Sequence, residues 1–129
     1  MKVLVDTSIW IGFFSKGDHT HLEDLIREDL VIINDVILAE LLPFLHHAKA
    51  YKAAAALQAI EKYPLDIHWP AIIELQKLNL RNGNNKVGIP DLIICQYTIQ
   101  HRIPIWTNDK HFRLMHKHVN ISLYGPTEL

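Results

Sequence analysis

Four acidic side chains stand where the chain changes character. Asp6 closes the apolar run "KVLV" (2–5), and Glu40 lies inside "VILAELL". Asp91 follows Pro90 and opens "LIIC", while Asp109 lies two residues beyond Thr107 at the end of "IPIWT". Each has an ordinary explanation. An acid in the first turn of a helix can cap it and favours it electrostatically, which accounts for Asp91 and Asp109. Asp6 can merely end a strand. Glu40 is the least ordinary: flanked by Leu38, Ala39, Leu41 and Leu42, it is expensive to bury unless paired or bound to a cation. On a narrow polar face of its helix it would instead be solvated. The conjunction means more than its members. Carboxylates gathered on one edge repel each other and raise their own pKa values unless a cation intervenes. Hard oxygen donors without cysteine suit Mg²⁺ or Mn²⁺ better than a structural zinc. Such an ion polarises a phosphodiester and lowers the pKa of a bound water.

Gathering these acids requires strands and helices in alternation. "KVLV", "LVII" (30–33) and "IPIWT" (103–107) read as buried strands, with "LDIHW" (65–69) a weaker candidate and "ISLY" (121–124) a final one. Helices are expected in "SIWIGFF" up to Gly17, in "HTHLEDLIRE", and in "VILAELLPFLHH" after a cap at Asn34 or Asp35. Pro43 should kink that third helix or end it early. The alanine-rich 48–63 and the segment from Pro70 to Gly83 follow as helices, the latter with proline at its start and glycine at its end. "NGNNKVG" (82–88) is a turn-rich loop, and further helices are expected from about Pro90 to Gln100 and in "DKHFRLMHKH". Strands alternating with helices imply a three-layer α/β/α sandwich around a mainly parallel sheet. Ligands bind such sheets outside the carboxyl ends of the strands, where Asp6 and Asp109 should emerge together.

The whole chain, 1–129, reads as one domain. Its single cysteine, Cys95, excludes an internal disulfide framework and suits a reducing cytoplasm. No segment approaches the roughly 20 apolar residues that span a membrane, and Asp6 interrupts the N-terminal run before it can form a signal peptide. Residues 1–74 carry 6 Lys and Arg against 11 Asp and Glu, whereas residues 75–129 carry 7 against 3. That asymmetry is either a chance distribution over solvated faces or an acidic centre beside a basic rim that admits a polyanion. In the second case Arg81, Lys86, Arg102, Lys110, Arg113 and Lys117 would hold a phosphate backbone.

Other chemistry finds little support. His46-His47, His19-x-His21 and His116-x-His118 are not i,i+4 pairs that share a helix face, and solvated helix ends explain them. No glycine-rich phosphate loop and no G-x-S-x-G elbow occurs. Trp10, Trp69 and Trp106 suit a core or an interface better than a base-stacking platform.

"VDTSIW", the "AELL" glutamate, "IPDLIIC" and "IWTNDKHF" occur in the order and approximate spacing of a PIN domain, and the chain resembles the VapC-like toxins of bacterial and archaeal toxin–antitoxin pairs along essentially its whole length. The resemblance implies a Mg²⁺-dependent ribonuclease that is homodimeric and is inhibited by a cognate antitoxin. It implies Asp6 and Asp91 as principal metal ligands, Asp109 completing the shell directly or through water, and Glu40 binding metal or orienting the attacking water. Thr7, Ser8 and Thr107 match hydroxyl positions that would hold these carboxylates. One position departs: where many relatives carry an acid two residues after the last aspartate, this chain has His111, which puts a second ion in doubt. A helix-surface histidine is the plainer reading of it. Two rivals remain. One is a catalytically weak PIN-fold module that binds RNA or protein. The other is a phospho-accepting receiver-like domain, against which "VDTSIW" counts because it lacks the adjacent acid pair that site needs.

Overall fold

In the computed structural model, which describes residues 1–125, the sheet is built on Val3–Val5 (β1), three apolar side chains that are all buried. β1 pairs in parallel with Val31–Ile32 (β2), with Val3 opposite Val31 and Leu4 opposite Ile32. On its other side it pairs in parallel with Ile105–Trp106 (β3), with Leu4 opposite Ile105 and Val5 opposite Trp106. The order is therefore β2-β1-β3. From β1 the chain reaches β2 through helices Thr7–Lys16 (α1) and His21–Arg27 (α2). It then returns past β1 through Asp35–His47 (α3), Tyr51–Gln58 (α4), Trp69–Arg81 (α5) and Ile89–His101 (α6) before entering β3, and Lys110–Met115 (α7) follows. The helices cover both faces, so the architecture is the three-layer α/β/α sandwich. The first connection runs to one side of β1 and the second returns to the other, which makes the carboxyl end of β1 the topological switch point, the place where open α/β sheets bind ligands.

Local chemistry sets the helix ends. Gly17, at φ 69°, closes α1 in the left-handed region that glycine enters freely. The Asn34 side-chain oxygen accepts a 3.0 Å hydrogen bond from the Ile37 amide and caps α3. Pro70 and Pro90 lie in the first turns of α5 and α6, where the missing N–H is not needed.

Three expectations fail, as does one of the two outcomes expected of Pro43, each for a visible reason. Pro43 does not end α3, which runs on to His47. Ala39, whose carbonyl loses its partner, is solvent-exposed, and Ile37, Leu38, Leu41 and Leu45 bury the helix on both sides of the proline. The alanine-rich helix covers only Tyr51–Gln58. Lys49, at φ 59°, separates it from α3, and the far end is drawn out beside β2, where the Ile33 amide donates to the Glu61 carbonyl at 3.0 Å. Residues 65–69 form no strand. Side chains of α6 satisfy this stretch instead: the His68 amide donates to Gln96 Oε1 at 2.9 Å and Gln96 Nε2 donates to the Asp66 carbonyl at 3.0 Å. Residues 121–124 contribute a single bridge, Leu123 to Ile105, rather than a strand.

The core includes Leu4, Ile9, Ile32, Ile37, Leu92, Ile94 and Phe112, all without solvent contact. Cys95 is buried among them and burial pushes its thiol up to about 12, so it is inert near neutrality. Among the described residues no helix is long and apolar enough to cross a membrane.

Candidate active site

Asp6 follows β1 directly and sits at the switch point, 5% exposed. It occupies the N-cap position of α1, yet its side chain makes no capping bond. Its Oδ2 is instead claimed by two hydroxyls: Thr107 Oγ1 donates at 2.7 Å and Ser8 Oγ at 3.0 Å. The same Thr107 oxygen accepts from the Asp109 amide at 2.9 Å, and Ser8 Oγ accepts from the Asn108 amide at 3.0 Å. The ends of β1 and β3 are thus stitched together through Asp6. Burial pushes the Asp6 carboxyl upward and nearby Asp109 adds to this, while the Thr107 and Ser8 hydroxyls and the Thr7 amide pull the other way.

Asp109 caps α7, its Oδ1 accepting from the His111 amide at 2.9 Å. Glu40 lies in the second turn of α3 and is exposed, so the solvated reading of its helix position is the correct one. It is not loose, however: Thr7 Oγ1 donates to its Oε1 at 2.8 Å and ties it to the turn that carries Asp6. Asp91 lies in the first turn of α6 behind Gly88, half-buried. Its carboxyl is pushed up to about 6, chiefly by burial and then by the negative charges of Asp109, Asp6 and Glu40, with His111 opposing. Residues 6, 40, 91 and 109, far apart in sequence, therefore share one electrostatic neighbourhood.

The donor set suits a hard divalent cation: carboxylate oxygens, no thiolate, and like charges that an ion would relieve. It is not a closed cage. Among the described residues no three His, Cys, Asp or Glu side chains stand close enough together to hold an ion as they are. Asp6 keeps Oδ1 and Glu40 keeps Oε2 clear of the hydroxyl bonds that fix their other oxygens. His111 is not on the open helix surface. Its Nδ1 is buried and without a partner, an orphaned polar atom beside the acids.

The remaining expectations divide. Lys110 adjoins Asp109, and Arg113 and Lys117 are exposed along and just after α7. Arg102 ends α6 and lies roughly 16 Å of helix rise from Asp91, at the other end of that helix. The paired histidines are not simply solvated ends. His116 Nδ1 bonds the Ile121 carbonyl at 2.7 Å, His118 Nε2 bonds Asn79 Oδ1 at 2.7 Å, and His21 stacks on Tyr124. His46 and His47, exposed at the end of α3, fit that reading best, although the His46 ring lies 5.8 Å from that of Tyr51. Trp10 and Trp106 are buried, and Trp69 is half exposed. Two residues near the acids have no site role in the sequence reading, Asn108 and His19, the latter read there as a solvated helix end; their side chains meet at 3.2 Å. A glycine in the middle of α1, Gly12, was the available signal.

Comparison with solved structures finds the same architecture at low identity. VapBC2 from Rickettsia felis, bound to a DNA fragment from its promoter, matches with a TM-score of 0.74 and 20% identity, covering 96% of this chain and 98% of that one. FitAcB from Neisseria gonorrhoeae matches with a TM-score of 0.73 and 20% identity over 98% and 99% of the two chains. DNA-bound VapBC from Salmonella typhimurium matches with a TM-score of 0.68 and 17% identity over 96% and 97%. No curated protein matches by sequence. The PIN domain family model matches residues 3–117. With that match spanning β1 to the end of α7, over a sheet of order β2-β1-β3, the chain belongs to the PIN domain family.

Proposed function

We propose that this protein is a Mg²⁺- or Mn²⁺-dependent ribonuclease acting as the toxin of a toxin–antitoxin pair. The observation that carries the reading is the Asp91 carboxyl, pushed up to about 6 by burial and by three acids brought in from α3 and from the ends of β1 and β3. Membership of the PIN domain family supports nucleic acid hydrolysis at that place. Asp6, Asp91 and Asp109 would hold the ion, with Glu40 beside it. The ion supplies positive charge that polarises the phosphodiester and acidifies water. The protein does the positioning. Thr107 and Ser8 lock Asp6 through Oδ2, and Thr7 holds Glu40 so that its free Oε2 can accept the proton of the attacking water. Water adds to phosphorus, the bond to the 3′ oxygen breaks, that oxygen gains a proton to balance the one given to Glu40, and the products carry a 5′-phosphate and a 3′-hydroxyl.

The solved structures of the same fold are named VapBC2 and FitAcB, and their likeness to this chain, beside its VapC-like motifs, supports an antitoxin partner that covers the site. Homodimerisation in the cytoplasm is part of the same proposal. Exposed apolar side chains on α5 and at the start of α6, among them Trp69, Ile73 and Ile89, offer surface for such contacts.

The test is cleavage of a mixed-sequence single-stranded RNA with Mg²⁺, with Mn²⁺ and with EDTA. Metal-dependent cleavage that Asp91→Asn abolishes supports the reading, and undiminished cleavage by that variant removes Asp91 from the mechanism. The openness of the acidic cluster favours a second reading, a catalytically weak module that binds RNA or protein. RNA binding without cleavage under either ion would establish it.

A further inference from the structure

We propose that His19 is a positioning residue of the acidic site, gripping Asn108 and so steadying the Thr107–Asp109 turn on which the metal ligands depend. The proposal rests on the metal-dependent nuclease reading above.

Two local departures from good backbone chemistry bring this imidazole to the site. His19 adopts φ 60°, in the left-handed region. Asp29, Lys49 and Arg102 also have positive φ, but they stand at or just past the ends of α2, α3 and α6, where a left-handed residue closes the last turn. His19 has no such role, because Gly17 has already ended α1. Non-glycine residues held in this region cluster where function needs them. The second departure is Gly12, in the interior of α1, where glycine disfavours a helix. A Cβ at Gly12 would meet His19 Cδ2 and Nε2 at 3.2 Å each. The missing side chain thus lets the ring lie against α1. The edge of Trp106 confines the ring as well, with centroids 5.6 Å apart and planes at 80°.

Held there, His19 Nε2 lies 3.2 Å from Asn108 Nδ2. Asn108 is the middle of the turn that orients the acids. Its amide donates to Ser8 Oγ, which donates to Asp6 Oδ2. Its neighbour Thr107 donates to the same Asp6 oxygen and accepts from the Asp109 amide. The exposed Asn108 side chain is where His19 takes hold of that turn.

The experiment titrates Mn²⁺ into the full chain by calorimetry, for the wild type and for His19→Gly, His19→Gln and Gly12→Ala, with melting in EDTA as the fold control and RNA cleavage as a second readout. Glycine accepts φ 60° without strain, so His19→Gly isolates loss of the ring. Partners bonded directly to metal ligands are typically worth 10- to 100-fold in affinity, and for His19, which reaches Asp6 through Asn108 and then Ser8, about fivefold is expected. His19→Gly should bind Mn²⁺ about fivefold more weakly, with kcat falling and KM little changed. Gln, whose amide reaches the place of Nε2, should recover most of the loss, and Gly12→Ala should resemble His19→Gly. Wild-type affinity in His19→Gly overturns the proposal, as does a His19→Gln variant no better than His19→Gly, whatever the melting temperatures. A wild-type chain that binds no Mn²⁺ overturns the nuclease reading itself and the role of His19 with it.

Discussion

Asp91→Asn should make the metal-free protein more stable while destroying its proposed activity. The carboxyl rises from its ordinary 3.8 to about 6 because burial and the charges of Asp109, Asp6 and Glu40 penalise its ionised form. At full weight that rise corresponds to about 3 kcal/mol of destabilisation at neutral pH. The side chain is only half-buried, and solvent screening reduces this to roughly 1.5 kcal/mol. Asparagine also forfeits about 0.5 kcal/mol of favourable interaction between the charge and the N-terminus of α6. The net expectation is about 1 kcal/mol of added stability. With an unfolding entropy of roughly 0.27 kcal/mol/K for a chain of this length, the melting temperature should rise by about 4 °C. The sign with pH follows from linkage. A carboxyl whose folded pKa is raised favours the fold below its unfolded value near 3.8, and that contribution is lost as pH climbs through about 6. Melting scans in EDTA should therefore show the variant above the wild type at pH 7.5, with the gap closing towards pH 4. Added Mg²⁺ should raise the wild type and leave the variant unmoved. A variant equal to or below the wild type in EDTA at pH 7.5 would refute the idea that the acids crowd one another.

Thr107→Val removes a buried donor to Asp6 and the acceptor for the Asp109 amide; stability should fall by about 1–3 kcal/mol in urea titrations and Mn²⁺ affinity by about tenfold. His111→Asp replaces a group that lowers the Asp91 carboxyl with one that raises it, so the metal-free melting temperature should drop while calorimetry shows tighter Mn²⁺ binding. Neutralising Lys110, Arg113 and Lys117 together should flatten the salt dependence of RNA binding, by about 0.7 in log–log slope for each phosphate that no longer meets a cation. Arg102→Gln, at the far end of α6, should leave that slope unchanged.

Much of this protein is written locally. The buried runs at 3–5, 31–32 and 105–106, the glycine that stops α1 and the prolines that open α5 and α6 need only near neighbours to act, and they are legible as sequence. So are the four acids, because each stands at a place where an apolar run breaks. Short edge segments were not legible. Whether 65–69 or 121–124 becomes a strand depends on what lies alongside, and α6 side chains or a single bridge to Ile105 met their backbone groups instead. Pro43 misled because local propensity forbids what the burial of Leu41 and Leu45 enforces.

The sequence by itself determined the alternation of elements and the inventory of acids and hydroxyls. Only the tertiary structure decided that Thr107 serves Asp6 across 101 residues, that Thr7 rather than burial secures Glu40, and that His111 Nδ1 is enclosed. It also decided that Gly12 makes room for His19. Hydrogen bonds and charge interactions act over a few ångströms, and which distant residues come that close is fixed by how the helices pack across a β2-β1-β3 sheet, not by any local pattern.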